Sequence, residues 1–217
     1  MSTALPGMRP LLRGVLHEAG FFVALVVGVL LGVYATGVRA SVAAAVFAGS
    51  VVAMFGASAL YHRVWWSVRM RPWMRRLDHA GIYLLIAGTY TPVGLVSLRG
   101  TLQAVVLAIV WSGAAAAVVL KFVWVRAPKW LSAVIGITLG WVGVAATPQL
   151  ASRAGIAAVV LLACGGVAYT LGAIVYARRR PDPLPSVFGY HELFHALTLV
   201  AVACQYVAIA FFVIRVA

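Results

Sequence analysis

Apolar residues run through this chain in unbroken stretches of about twenty, separated by short polar connections. A helix rises about 1.5 Å per residue, so about 20 apolar residues cross the roughly 30 Å of bilayer hydrocarbon. Seven stretches reach that length: residues 15–34, 40–61, 78–97, 102–120, 130–147, 155–176 and 190–214. None shows the polar alternation of a barrel strand, so each predicts a helix. The expected fold is an all-α integral membrane protein, a seven-helix bundle forming one domain over residues 1–217. The first stretch follows Arg9 and Arg13. It is longer than the usual apolar core of a signal peptide and reads as a retained span.

Composition narrows the class. The chain has 217 residues, of which 64% are hydrophobic and 10% charged. Soluble domains carry about 25% charged residues. No segment is long or polar enough to fold apart from the membrane. Seventeen basic residues against four acidic ones give a formal net charge of +13. They are scattered between apolar runs, which argues against a nucleic-acid binder. Fifteen of the seventeen are Arg, a bias typical of GC-rich bacterial genomes. Cys164 and Cys204 lie inside apolar runs and read as small packing residues.

The basic residues also predict direction. Thirteen fall in the N-terminal segment and in the connections after spans two, four and six, where Lys121 is counted with Arg126 and Lys129. Four, Arg39, Arg99, Arg153 and Arg215, fall on the other side. An excess of Lys and Arg marks the cytoplasmic side. The N-terminus is expected inside and the C-terminus outside a bacterial cytoplasmic membrane.

Ionisable side chains within spans are costly and point to function. With this topology His17, His62, His79, His191 and His195 all fall at the cytoplasmic ends of their helices, together with Glu18, Asp78 and Glu192. His191 and His195 are four residues apart and share a helical face. Two such histidines plus His62 from another helix match a three-nitrogen zinc site with a fourth position open for water. Asp78 offers the negative charge that a low-dielectric zinc site needs. Duller readings stand beside this one. His17 and His79 read as interfacial side chains reaching water. Glu18, Asp78 and Glu192 sit in expected first helical turns, where acids suit the macrodipole. Ser58, four residues before His62, reads equally as a helix-packing residue.

His191-Glu192-Leu193-Phe194-His195 also fits H-E-x-x-H, in which the Glu is the general base of a metalloprotease. That alternative leaves His62 and Asp78 unused. The nearest further acid, Asp182, lies in a Pro-rich turn.

Three segments together resemble the hemolysin III family, bacterial relatives of the progestin and adipoQ receptors. Ser58-Ala59-Leu60-Tyr61-His62 resembles the S-x-x-x-H motif closing the second span. Residues 77–92, LDHAGIYLLIAGTYTP, resemble the third-span signature. His191 to His195 are similar to the seventh-span H-x-x-x-H. The resemblance covers nearly the whole chain. It implies seven helices with an internal N-terminus and zinc held by His62, His191 and His195. It also implies Asp78 on the zinc-bound water and Ser58 beside the site. Many family members carry a Glu and an Asn near the start of span one. Leu16-His17-Glu18-Ala19-Gly20 lacks the Asn, so no role passes to Glu18.

Two functions follow as expectations. The first is a zinc-dependent hydrolase of an amide or ester lipid entering from the inner leaflet, since eukaryotic relatives are linked to ceramide hydrolysis. Asp78 would be its acid–base group and Ser58 a hydrogen-bonding group. The second is a non-enzymatic membrane sensor, or a cytolysin-like protein, with structural zinc. Membrane lipids and zinc are the expected partners.

Overall fold

The computed structural model describes residues 10–216; Arg9 lies outside them. Seven α-helices follow in order: α1 (Val15–Tyr34), α2 (Val38–Arg63), α3 (Arg71–Pro92), α4 (Gly100–Val123), α5 (Lys129–Trp141), α6 (Thr147–Arg178) and α7 (Tyr190–Ala208). Six helical stretches are long and apolar enough to cross a membrane, the fifth being the 50-residue run Lys129–Arg178. The chain is thus a multi-span, all-helical membrane protein. Large apolar side chains such as Phe22, Val26, Val29 and Val33 of α1 are exposed along its flank. The same side chains would be a liability in water and are the expected surface toward lipid.

The 50-residue run doubles back on itself. The Trp141 indole Nε1 donates to Thr170 Oγ1 at 3.0 Å. On a straight helix those residues would stand about 44 Å apart. The reversal is made by a 3₁₀ segment, Val142–Ala146, and by Gly155, whose φ of 83° lies in the left-handed region. Tyr90 of α3 fixes the turn, donating to Gly140 O at 2.6 Å and accepting from the Gly143 N–H at 2.7 Å.

Several helix boundaries differ from the sequence expectation, among them the end of α5 at Trp141 and the start of α6 at Thr147, and two of the differences bear on the site. α3 begins at Arg71, not near Asp78, with Pro72 in its first turn. Proline is well tolerated there because that N–H has no intrahelical partner. Asp78 therefore lies two turns inside the helix, and the helix-dipole explanation of its presence fails. Lys121, counted above among loop charges, lies in the last turn of α4 and is buried.

All the odd-numbered helices start at one end of the bundle and all the even-numbered ones finish there. Contacts between helix ends confirm it. Arg63 at the end of α2 pairs with Glu18 of α1 at 2.7 Å. Arg76 of α3 donates to Phe122 O at the end of α4 at 3.0 Å. Lys129 opens α5 and donates to Tyr190, which opens α7, at 2.9 Å. This end also carries Trp65, Trp73, Trp124 and Trp130, all exposed, as in the aromatic belt of a membrane–water interface. At the opposite end α3 and α7 each finish in a π-helical turn, Val93–Ser97 and Ile209–Val213.

Helices α2 and α3 approach closely because α3 presents glycine to α2. A Cβ at Gly81 would stand 3.1 Å from Met54 Cα, and one at Gly88 would overlap Ser50 Cβ and Oγ. Small residues at such crossings let apolar helices gain van der Waals contact in lipid. Gly88→Ala is expected to lower stability by about 1–3 kcal/mol through overpacking. A clear fall in the thermal midpoint of the detergent-solubilised protein checks it; an unchanged midpoint would mean that Ser50 and its helix yield freely.

Candidate metal centre

The site begins with how α7 is started. Its first backbone amides need acceptors. The Glu192 carboxylate Oε2 accepts from the Gly189 N–H at 2.9 Å, and Asp182 Oδ1 accepts from the Tyr190 N–H at 2.8 Å. Asp182 is itself exposed, so the Pro-rich turn is solvated yet has a capping role. The other Glu192 oxygen pairs with the Arg13 guanidinium. Glu192 is 0% exposed. The segment carrying Arg13 is held beside the α6–α7 connection by two backbone bonds, Leu11 N–H to Ser186 O and Leu12 N–H to Val187 O.

This start aims His191 and His195 toward the last turn of α2. There His62 meets them, with ring centroids 4.8 Å from His191 and 5.2 Å from His195. Each of the three offers a ligand nitrogen, and these atoms lie within 4.8 Å of one another. The Nε2 atoms of His62 and His191 are 3.1 Å apart. Two nitrogens on one tetrahedral zinc, at 2.0–2.1 Å each, stand about 3.3 Å apart. His195 Nδ1 is buried without a hydrogen-bond partner, leaving unused capacity on a ring of the triad. The three histidines are thus positioned to hold a metal ion, and the donor set fits the borderline-soft divalent ions that prefer imidazole.

Asp78 joins them from α3. Its Oδ2 lies 3.8 Å from His62 Nε2, the atom that also faces His191. Ser58, one turn before His62, interacts with the Asp78 carboxyl. Its Oγ is 2.8 Å from His17 Nδ1. All the singled-out residues of the trio, with Asp78 and Ser58, therefore converge.

The sequence placed His17 at the depth of this group but read it as an interfacial side chain. It is 2% exposed, not a side chain reaching water, and its ring stacks on His195 with centroids 3.7 Å apart and planes 9° from parallel. A lone histidine 178 positions from its partner leaves no spacing signal. Gly14, which precedes α1, allows this approach: it holds φ 82°, and a Cβ there would come within 2.6 Å of His62 Cβ. His79 faces another way and lines the cavity described below, with Nδ1 buried and unpartnered. Glu18 stays at the surface with Arg63. Glu192 is held at both oxygens, by Arg13 and by the Gly189 N–H, which counts against its serving as the base of an H-E-x-x-H protease.

A cavity of about 230 Å³ extends from this group between α3, α5, α6 and α7. His17, Ser58, Asp78, His191 and His195 line one part of it. Ile86, Val93, Ile137, Val144 and Leu150 line much of the remainder.

A family model described as Haemolysin-III related matches residues 7–206. The chain belongs to the haemolysin-III-related family. Two bacterial relatives agree. A Hemolysin-3 homolog of Bacillus subtilis (strain 168) is 30% identical over 171 residues, 79% of this chain and 77% of that protein. A Hemolysin-3 of Bacillus cereus is 36% identical over 141 residues, 65% of this chain and 62% of that protein. The three segments that first suggested the haemolysin-III resemblance all fall within the matched region.

The capping arrangement makes a prediction about Glu192. Glu192→Ala strands the Arg13 charge and the Gly189 amide and should cost about 3 kcal/mol or more. Glu192→Gln keeps a hydrogen-bonding group of the same size and should cost less. Thermal unfolding in detergent ranks the two; equal stability of Glu192→Ala and the parent would refute the capping role.

Proposed function

We propose that this haemolysin-III-related protein is a seven-crossing, zinc-dependent hydrolase of a membrane lipid. It would form a single membrane domain, with the N-terminus and the histidine cluster at the cytoplasmic side of a bacterial inner membrane. The observation that carries the proposal is the meeting of His62, His191 and His195 with the Asp78 carboxylate at the head of an apolar cavity. The reversal within Lys129–Arg178 supports two crossings there, and so seven in all. The thirteen basic residues on the histidine side support its assignment to the cytoplasm.

His62, His191 and His195 would hold the zinc. Bound there, zinc would supply Lewis acidity toward a carbonyl oxygen and toward water. The remaining work falls to the chain. Asp78 takes the proton from the attacking water and returns it to the leaving amine or alcohol. Ser58, held by His17, fixes the carboxyl group of Asp78 and can donate to a polar group of the ligand. The helices exclude bulk water, which strengthens each of these interactions. The apolar cavity would take the acyl part of an amide or ester lipid.

The relatives' names, Hemolysin-3 and Hemolysin-3 homolog, favour a second reading, a cytolysin-like protein, and the resemblance to receptors adds a sensing one; in both, zinc would staple α2 to α7. Metal content and one substitution separate the two. Purified protein is expected to hold about one zinc per chain by mass spectrometry, lost in His191→Ala/His195→Ala. No metal, and no uptake on adding zinc, would remove the basis of the proposal. With zinc retained, Asp78→Asn should abolish release of fatty acid from a lipid panel, while Glu192→Gln should be mild. The reverse pattern would favour the H-E-x-x-H protease. Silence of both substitutions would assign the metal a structural role.

A further inference from the structure

Lys121 has no part in the hydrolysis just described, and its setting is unusual. It is 2% exposed, although the other basic residues near the same end reach the surface more freely. Its ammonium group does not extend toward water as lysines near membrane-helix ends commonly do. It turns inward, donates to Ser132 Oγ of α5, and lines the same cavity as Asp78, His79 and the histidine group.

A buried ammonium normally has a carboxylate beside it. Among the described residues none lies within ion-pair distance of Lys121. The acids at this end are placed elsewhere: Glu18 with Arg63, Glu192 with Arg13, and Asp78 beside His62. Other cations add to the imbalance. Arg75 and Lys129 act with Lys121 on His79. Lys129 is held between the Tyr176 and Tyr190 rings, at 4.2 and 4.7 Å from their centroids. The carboxyl-end dipole of α4 offsets only about half a charge, and Arg76 already takes its Phe122 carbonyl. Among the described residues Asp78 is the one carboxylate that lines the cavity with Lys121, and a divalent ion on the triad would widen the excess of positive charge.

From this we infer that Lys121, Ser132 and His79 form a head-group subsite for an anionic, phosphate-bearing lipid whose acyl chains enter the apolar part of the cavity. An ammonium, a hydroxyl and an imidazole offer donors from different sides, which suits a group with several acceptor oxygens. The apolar lining that continues from this subsite, with Ile82, Ile86 and Ile137 among it, suits a lipid and not a free anion. As a statement about substrate the inference rests on the hydrolase reading; as a statement about binding it does not.

The test is therefore binding. Full-length protein in neutral detergent is titrated with dioctanoyl phosphatidylglycerol and with dioctanoylglycerol, which has the same chains and no phosphate. Wild type is expected to prefer the phospholipid by about tenfold or more, the value of one charge-assisted hydrogen bond. Lys121→Gln should lose that preference with metal content unchanged, and Lys121→Arg should keep most of it. Equal binding of the two lipids by wild type overturns the inference whether or not Lys121→Gln folds. So does a Lys121→Gln protein that still discriminates. Displacement by inorganic phosphate at the same concentration as the lipid would overturn the lipid assignment. Discrimination without turnover would count against the hydrolase reading and leave the subsite standing.

Discussion

A carboxylate with no access to solvent must be neutralised where it sits, and Glu192 imposes that condition on one end of this bundle. Its two oxygens are divided between the Arg13 guanidinium and the amide that precedes α7. One side chain thereby ties the N-terminal segment to the start of the last helix. His191 and His195 follow from that start, because a helix whose first turn is fixed has its next turn fixed as well. His62 follows from the same tie, since the N-terminal segment passes against it at Gly14, just before α1. Leaving either partner unmatched in a medium of low dielectric constant would cost more than most packing changes.

The histidine triad and the cavity depend on this frame in different ways. The triad needs angular accuracy, and it is built from regular helix on α2 and α7, with the His17 ring stacked on His195 as a lateral support. The cavity needs length and an apolar lining. It runs between α3, α5, α6 and α7, and the chain between α5 and α6 is interrupted by the 3₁₀ turn and, beyond it, by Gly155. Regularity is found where ligands must converge, and irregularity where a chain must be accommodated.

Much of this was legible in the sequence because the bilayer acts as a strict solvent. Apolar run length located the helices. The four-residue spacing of His191 and His195 placed them on one face, the shared depth of the helix ends added His62 and Asp78, and the family motifs then gave Asp78 and Ser58 their places beside the metal. What escaped was set by interactions between segments. Hydropathy marks where apolar surface begins, so it missed the first two turns of α3, whose Arg71, Arg75 and Arg76 are polar but helical. It placed Lys121 in a loop because charge at the end of an apolar run usually means water; only the packing of α4 against α5 turns that side chain inward. His17 shared the depth of the other histidines but no spacing with them, since its partners come from α2 and α7.

The unequal ends of the bundle have a mechanical consequence. Exposed tryptophans and ion-paired helix termini gather at the histidine end, and such groups hold a protein at a set depth in the interface. The opposite end carries the π-helical turns of α3 and α7 and the 3₁₀ turn after α5. A bilayer that thickens or thins must be matched somewhere, at a modest cost per ångström. The end whose backbone is already irregular has the less to lose by such an adjustment. The anchoring groups then lie at the histidine end and the irregular backbone at the far one, which sets the candidate metal centre apart from the segments best able to follow a change in bilayer thickness.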